Sequence, residues 1–269
     1  MRLRVALGAG AAAAVWWTAW YEPRRLVLTE RAIHPPGWPR SLDGLRVGAM
    51  SDLHAGLGHT NRARVREAVA LLNAQRPDLI CLLGDYLDST HFGKGRADAG
   101  EIAAELAALQ APLGRFAVLG NHDWKAAGGA MGDGLREAGL TVLENDAVEA
   151  GDVWVAGVAD MRTRLPDIAK TLEAVPEGAP VLLLAHDPDL FPQVPHRVAL
   201  TLAGHTHGGQ VDVPVLRLLV VPSGHGVRYL GGHVVEDGRQ LYISTGVGTA
   251  GLPIRFRRPP EVVILTLRS

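Results

Sequence analysis

Five apolar runs of strand length in this chain are each followed within a few residues by side chains that bind metal ions. Leu45–Met50 leads through Ser51 to Asp52-Leu53-His54, and Asp78–Leu83 leads to Gly84-Asp85. Arg115–Leu119 leads to Gly120-Asn121-His122-Asp123, and Val181–Ala185 leads to His186. Val198–Leu202 leads through Ala203 and Gly204 to His205-Thr206-His207. Loops just past the carboxyl ends of strands form the usual ligand-binding edge of α/β sheets. Repetition of this junction limits the fold to one in which five strand ends converge on a single crevice.

The segments between the junctions fit that demand. Asn61–Gln75 has Val65, Val69, Leu71 and Leu72 at helical spacing, and Ala99–Leu109, Ala130–Ala138 and Asp167–Ala174 also read as helices. Leu140–Leu143 and Val153–Val158 read as short strands. After about residue 210 the pattern turns to β, with expected strands at Val211–Val213, Val227–Leu230, Gln240–Ser244 and Val262–Leu267 between Gly and Pro turns. The expectation is an α/β domain with two sheets and flanking helices.

Each polar cluster alone has a structural explanation. A lone Asp after Gly often caps a turn, and a single strand-end His is more often a hydrogen-bonded structural residue than a ligand. Gly204-His205-Thr206-His207 is more specific, because two imidazoles one residue apart can face adjacent metals. Taken together, two Asp, one Asn and several His form a mixed oxygen and nitrogen donor set without thiolate. That set suits Mn²⁺, Fe²⁺, Zn²⁺ or Co²⁺ better than Ca²⁺. It also exceeds what one four-coordinate zinc needs. Two ions about 3.5–4 Å apart, sharing a carboxylate, would use every donor.

In this order the motifs resemble those of the calcineurin-like metallophosphoesterase superfamily. D-x-H stands here as Asp52-Leu53-His54, G-D as Gly84-Asp85, and G-N-H-D/E as Gly120-Asn121-His122-Asp123. The strand-end His is His186, and G-H-x-H is Gly204-His205-Thr206-His207. The resemblance spans residues 45 to 210. Met50-Ser51, Gly208-Gly209-Gln210, Ser244-Thr245-Gly246-Val247-Gly248 and Pro259-Pro260-Glu261 look like a membrane-linked bacterial, phosphodiesterase-like branch.

The resemblance implies a four-layer αββα sandwich of two mixed sheets flanked by helices. It implies that Asp52, His54 and His207 hold one divalent ion, that Asn121, His186 and His205 hold a second, and that Asp85 bridges them. A hydroxide held between the ions would attack phosphorus in line. His122, positively charged, would assist the leaving oxygen, with Asp123 orienting its ring. The expected function is a metal-dependent phosphoester hydrolase acting on phosphodiesters. One alternative is a membrane-associated pyrophosphohydrolase acting on a nucleotide-linked lipid precursor. A non-catalytic metal-binding scaffold ranks lower, because all eight positions are present.

The amino-terminal residues carry a separate signal. Arg2 and Arg4 precede an uncharged run from Val5 to Tyr21 that ends in Trp16, Trp17, Trp20 and Tyr21. As a helix it would span ~25 Å, somewhat short of a ~30 Å hydrocarbon core. Clustered aromatics suit the membrane interface. The organisation expected is a signal anchor or signal peptide at 1–25, a Pro-rich linker at 26–44 and the catalytic domain at 45–269. An interfacial helix, or one packed on the domain, stays open. The expected location is the bacterial cytoplasmic membrane with the domain outside the cytoplasm, or export after cleavage.

Lys plus Arg (27) nearly balances Asp plus Glu (28), so no nucleic-acid partner is expected. The expected partner is a phosphate-ester substrate, with a lipid-linked ester as the alternative. Cys81 reads as a small buried hydrophobe. Arg255, Arg257 and Arg258 read as a solvated basic face. His59, His91 and His225 are candidates to reach substrate from loops.

Overall fold

The computed structural model describes residue 10 and residues 12–93, 95–213 and 221–269. The first sheet contains β1 (Val27–Ile33), β2 (Arg46–Met50), β3 (Leu79–Leu82), β4 (Arg115–Ala117), β5 (Thr141–Val142) and β12 (Glu261–Leu267). Its order is β1-β12-β2-β3-β4-β5, and only the β12–β2 pair is antiparallel. The second sheet contains β6 (Asp146–Ala150), β7 (Val153–Gly157), β8 (Val181–Leu184), β9 (Leu200–Ala203), β10 (Gly232–Glu236) and β11 (Arg239–Ile243). Its order is β10-β11-β9-β8-β7-β6, with antiparallel pairs at both edges.

Period-two alternation sorts side chains between layers. In the β3 run, Leu79, Cys81 and Leu83 point between the sheets, while Ile80 and Leu82 point to the outer helices. In the β8 run, Leu182 and Leu184 face the first sheet, while Val181, Leu183 and Ala185 face the opposite outer layer. Both faces of these strands are covered, so they read as unbroken apolar runs. The buried Cys81 thiol is pushed upward by desolvation, as expected of a packing residue.

Helices α1 (Arg62–Ala74) and α2 (Ala99–Leu106) cover the first sheet. Asn61 and Asp98 cap them by accepting the amides of Arg64 (3.1 Å) and Glu101 (3.0 Å). Val65, Ala68, Val69 and Leu72 form the buried stripe of α1. Helices α3 (Asn121–Ala127) and α4 (Ala130–Glu137) complete that layer, and the short α5 (Ile168–Thr171) flanks the second sheet. The architecture is the expected four-layer sandwich.

Three expectations need correction. Residues 26–44 are not a linker throughout, because Val27–Ile33 pairs in parallel with β12 from Val27–Glu261 to Ile33–Leu267. Exposed Glu30 and Arg31 suit an edge strand. Beyond it, Trp38 is buried between the sheets and donates its indole N–H to the Leu42 carbonyl at 3.0 Å. The folded domain therefore starts well before Leu45. Second, Val227–Leu230 forms a turn around the buried Tyr229, and the strand begins at Gly232, in register with β11 across Asp237-Gly238. At 211–213, only Val211 makes a bridge, to Phe256.

Third, Arg255 does not belong to a solvated face. It is fully buried and donates to the carbonyls of Thr245 (2.8 Å), Gly246 (3.2 Å), Gly248 and Arg258 (2.9 Å). Arg258 pairs with Asp212 at 3.1 Å.

Much of the expected 1–25 anchor, residues 1–9 and Ala11, lies outside the described residues. Among those described, no helix is long and apolar enough to cross a membrane. The helical turns through Trp17–Tyr21 touch the domain through backbone: the Arg255 amide donates to Thr18 O at 2.9 Å, and the His59 ring lies 3.1 Å from Ala19 O. Trp16, Trp17, Trp20 and Tyr21 stay exposed.

Candidate metal centre

The loops after β2 and β3 are laced together by backbone hydrogen bonds. The amides of Asp52, His54 and Ala55 donate to the carbonyls of Gly84 (2.9 Å), Asp85 (3.0 Å) and Tyr86 (2.9 Å). Gly204 N donates to His186 O at 2.9 Å, joining the loops after β8 and β9. Gly204 lies so close to the first loop that a Cβ there would overlap Ser51 Oγ and Asp52 Oδ2. Five side chains that face the crevice, Asp52, His54, Asp85, His205 and His207, have φ between 46° and 69°. That left-handed backbone is uncommon outside glycine, and each instance costs ~1–3 kcal/mol. Its concentration at these residues is a signature of function.

The structure brings all eight anticipated residues together, buried apart from the half-buried His122. Asp52, His54 and His207 present donor atoms within 4.8 Å of one another, as do Asp85, His186 and His205. His54 Nε2 stands 3.0 Å from His207 Nε2 and 3.6 Å from Asp85 Oδ2. Asp85 Oδ2 is 3.1 Å from His186 Nε2, which is 3.2 Å from His205 Nδ1. Nitrogens this close are repulsive when unprotonated, but their spacing matches ligands sharing one ion at bonds of ~2.1 Å. Among the described residues, buried Asn121 Oδ1 has no hydrogen-bond partner, which suits a metal ligand. The donor set therefore fits divalent metal ions.

The outer ring nitrogens are fixed by the fold. His186 Nδ1 lies 2.7 Å from Leu83 O, His54 Nδ1 lies 3.3 Å from Asp88 Oδ1, and His205 Nε2 lies 3.2 Å from Pro222 O. The Leu83 and Pro222 carbonyls select the tautomer of His186 and His205 that turns a lone pair inward, while at His54 the Asp88 carboxylate makes an ion-pair approach only. Asp52 is held by the Ser51 hydroxyl and by the His205 amide at 3.0–3.1 Å.

Burial competes with the buried carboxylates, which raise His54 and His186 although desolvation alone would lower them. Burial raises Asp52 and lowers His205 and His207, which favours neutral, ligating imidazoles. Burial also pushes Asp85 up, but the His186, His54 and His122 rings outweigh it and hold the carboxyl well below its ordinary range.

Two roles differ from the sequence expectation. Asp123 does not touch the His122 ring. Its carboxylate accepts the amides of Gly120 and Asp85 (both 2.9 Å) on one oxygen, and those of Tyr86 (2.8 Å) and Leu87 (3.1 Å) on the other. It pins the Asp85 loop to the start of α3. Asp123→Ala would orphan four buried N–H groups at ~1–3 kcal/mol each before relaxation. A loss of about 3–5 kcal/mol is expected, read as a Tm drop of roughly 10 °C or more in thermal denaturation. A Tm within a few degrees of the parent would contradict that role.

The second difference concerns His122. Its Nδ1 accepts the Ser89 amide at 3.2 Å, with Ser89 Oγ 2.9 Å away. Burial lowers its pKa to about 4. The ring is thus neutral near pH 7, with its proton on Nε2, rather than the positive charge expected. Asp88, 3.3 Å from His54 Nδ1 and 3.7 Å from His122 Nδ1, was missed in the sequence. Only its place three residues after Asp85 could have flagged it.

A cavity of about 500 Å³ opens over the centre. Its lining includes a polar part with His54, Asp85, Asn121, His122, Lys125 and Arg162, and an apolar part with Val211, Leu252 and Ile254. His59, His91 and His225 do not line it.

Comparison with known proteins agrees with this geometry. Residues 45–209, more than half of the chain, match the calcineurin-like phosphoesterase family. The metallophosphoesterase YkuE of Bacillus subtilis (strain 168), itself uncharacterized, is 29% identical over 274 residues, covering 98% of this chain and 94% of that one. An uncharacterized metallophosphoesterase of Aquifex aeolicus (strain VF5) is 34% identical over 236 residues, covering 84% and 85%. A transmembrane protein with a metallophosphoesterase domain from Danio rerio is 28% identical over 251 residues, covering 86% of this chain and 55% of that one. With the motifs gathered at one cavity and the family matched across its core, the chain belongs to the calcineurin-like phosphoesterases and is a metal-dependent phosphoester hydrolase.

Proposed function

We propose that the chain hydrolyses phosphodiesters with two divalent ions, one held by Asp52, His54 and His207 and the other by Asn121, His186 and His205. Asp85 serves both. The observation that carries this reading is the position of Asp85 Oδ2, 3.6 Å from His54 Nε2 and 3.1 Å from His186 Nε2, at the junction of the two donor groups. Mn²⁺, Fe²⁺, Zn²⁺ and Co²⁺ suit these donors. Ions bound there supply an activated water and neutralise phosphate oxygens.

The chain's own residues do the rest. His122 offers Nε2–H as a hydrogen-bond donor to an oxygen of the reacting phosphate, while Ser89 fixes its other nitrogen. The apolar wall has room for a second ester substituent, which favours diesters over monoesters. With Mn²⁺, kcat/KM for bis(p-nitrophenyl) phosphate is expected to exceed that for p-nitrophenyl phosphate by about tenfold or more. A preference for the monoester would overturn the diester assignment.

A second reading, hydrolysis of a diphosphate-linked lipid precursor at a membrane, is favoured by the exposed aromatic segment. Trp16, Trp17, Trp20 and Tyr21 lie beside the loop that carries Leu252 and Ile254 into the cavity, joined to it through Arg255 N and Thr18 O. Such an aromatic cluster suits a bilayer interface. It supports attachment of the domain at a bilayer surface. The full chain is expected to co-float with anionic phospholipid vesicles, and a chain lacking residues 1–21 to remain behind. Equal flotation of the two would contradict membrane attachment through this segment.

A further inference from the structure

One wall of the cavity carries a guanidinium that metal binding does not require. Arg162 follows β7 in a turn organised by Asp160, whose Oδ2 accepts the amides of Arg162 (3.2 Å) and Thr163 (2.8 Å). The side chain is tied along one edge. Nε donates to Asp187 Oδ2 at 2.6 Å, and Nη2 donates to the Pro222 carbonyl and lies 3.8 Å from Asp189 Oδ2. Asp187 is buried, and Asp189 is braced by Ser223 Oγ and Gly224 N, each at 2.6 Å. Among the described residues Nη1 has no hydrogen-bond partner; the side chain is 36% exposed and is part of the cavity lining.

The placement is specific. Asp187 Oδ2 and Pro222 O, the acceptors that fix Arg162, also face the outer nitrogen of His205, at 3.6 and 3.2 Å. The guanidinium and the outer nitrogen of His205 thus share two acceptors at the edge of the cavity that opens over the centre. A long side chain otherwise loses rotamer entropy when it binds. Here part of that freedom is already removed, and in this cavity-lining side chain Nη1 is left to donate.

We propose that Arg162 forms an anion subsite beside the reacting phosphorus, and that it takes a second phosphate joined to the first through a bridging oxygen. The substrate class is then a diphosphate ester. Asp187 is the positioning residue, since it holds both Arg162 and His205. The proposal rests on the phosphoesterase reading and adds to it the charge of the neighbouring group. A carboxylate could pair with the same guanidinium, but only a diphosphate holds its second charge one oxygen from the first. Lys125 on the polar wall adds positive charge to the same cavity.

Binding and turnover together test this. The Mn²⁺-loaded full chain is titrated calorimetrically with methylenediphosphonate and with methylphosphonate, in buffer saturated with the metal. The diphosphonate is expected to bind at least about tenfold more tightly, since charge-assisted fork hydrogen bonds are the strong ones. In Arg162→Ala that preference should fall to about threefold or less, with Arg162→Lys between, because an ammonium supplies charge without the fork. In turnover, Arg162→Ala should raise KM for a nucleoside diphosphate sugar about tenfold more than for bis(p-nitrophenyl) phosphate. Equal binding of the two phosphonates by the parent chain would overturn the proposal. So would an unchanged preference in Arg162→Ala, or equal loss for both ligands, which would mean that Arg162 acts only by supporting His205. A parent chain that binds diphosphonate preferentially yet fails to cleave any diester would count against the phosphodiesterase reading and leave the subsite standing.

Discussion

Asp85→Ala is expected to abolish stoichiometric metal binding and to lower turnover of a chromogenic phosphodiester by more than the roughly 10²–10³-fold that loss of a single transition-state donor costs. The reason is position. Asp85 is the carboxylate that both donor groups approach, and its charge is favoured first by His186 and then by His54. Its removal leaves His54 and His186 without the anion that pairs with them at 3.6 and 3.1 Å. Its backbone is independently pinned by Asp123, so the loop should keep its course and the chain should stay folded. Elemental analysis of the purified variant beside the parent reads the first effect, and initial rates with added Mn²⁺ read the second. Full metal content in the folded variant would contradict the shared position.

His122→Ala is expected to behave differently. Its kcat should fall about 10²–10³-fold while metal content and KM stay near those of the parent. The ring lies 4.6 Å, centroid to centroid, from that of His54, edge to face, and its Nδ1 is occupied by Ser89. Only Nε2 is left to act on substrate. A neutral ring with a pKa of about 4 adds no protonation step near neutrality. Loss of metal in step with activity would instead make His122 a ligand, since one of its ring nitrogens lies within 4.8 Å of donor atoms of His54 and Asp85.

The metal centre was legible because its chemistry is written at junctions. Asp52, His54, Asp85, Asn121, His122, His186, His205 and His207 each follow an apolar run, and strand ends in α/β sheets face a common edge. The strands of the two sheet centres were equally plain, since burial on both faces makes them continuous hydrophobic runs. What was not legible depends on partners distant in sequence. The edge strand Val27–Ile33 gains its place from pairing with Glu261–Leu267, more than two hundred residues away, and its mixed polar face resembles a linker. Arg255 reads as a surface cation among Arg257 and Arg258, yet the carbonyls of Thr245, Gly246 and Gly248 enclose it. Asp123 and Asp88 illustrate the same limit within the site. Sequence order suggested that Asp123 serves the adjacent His122, while the chain path gives that task to Ser89.

The most direct test of the account is calorimetric titration of chelator-stripped full chain with Mn²⁺, with hydrolysis of bis(p-nitrophenyl) phosphate followed on the same samples. The expected result is no activity in the stripped chain, binding that saturates at two ions per chain, and activity that appears only as the sites fill. Undiminished hydrolysis by the stripped chain, or saturation without any gain in activity, would contradict it.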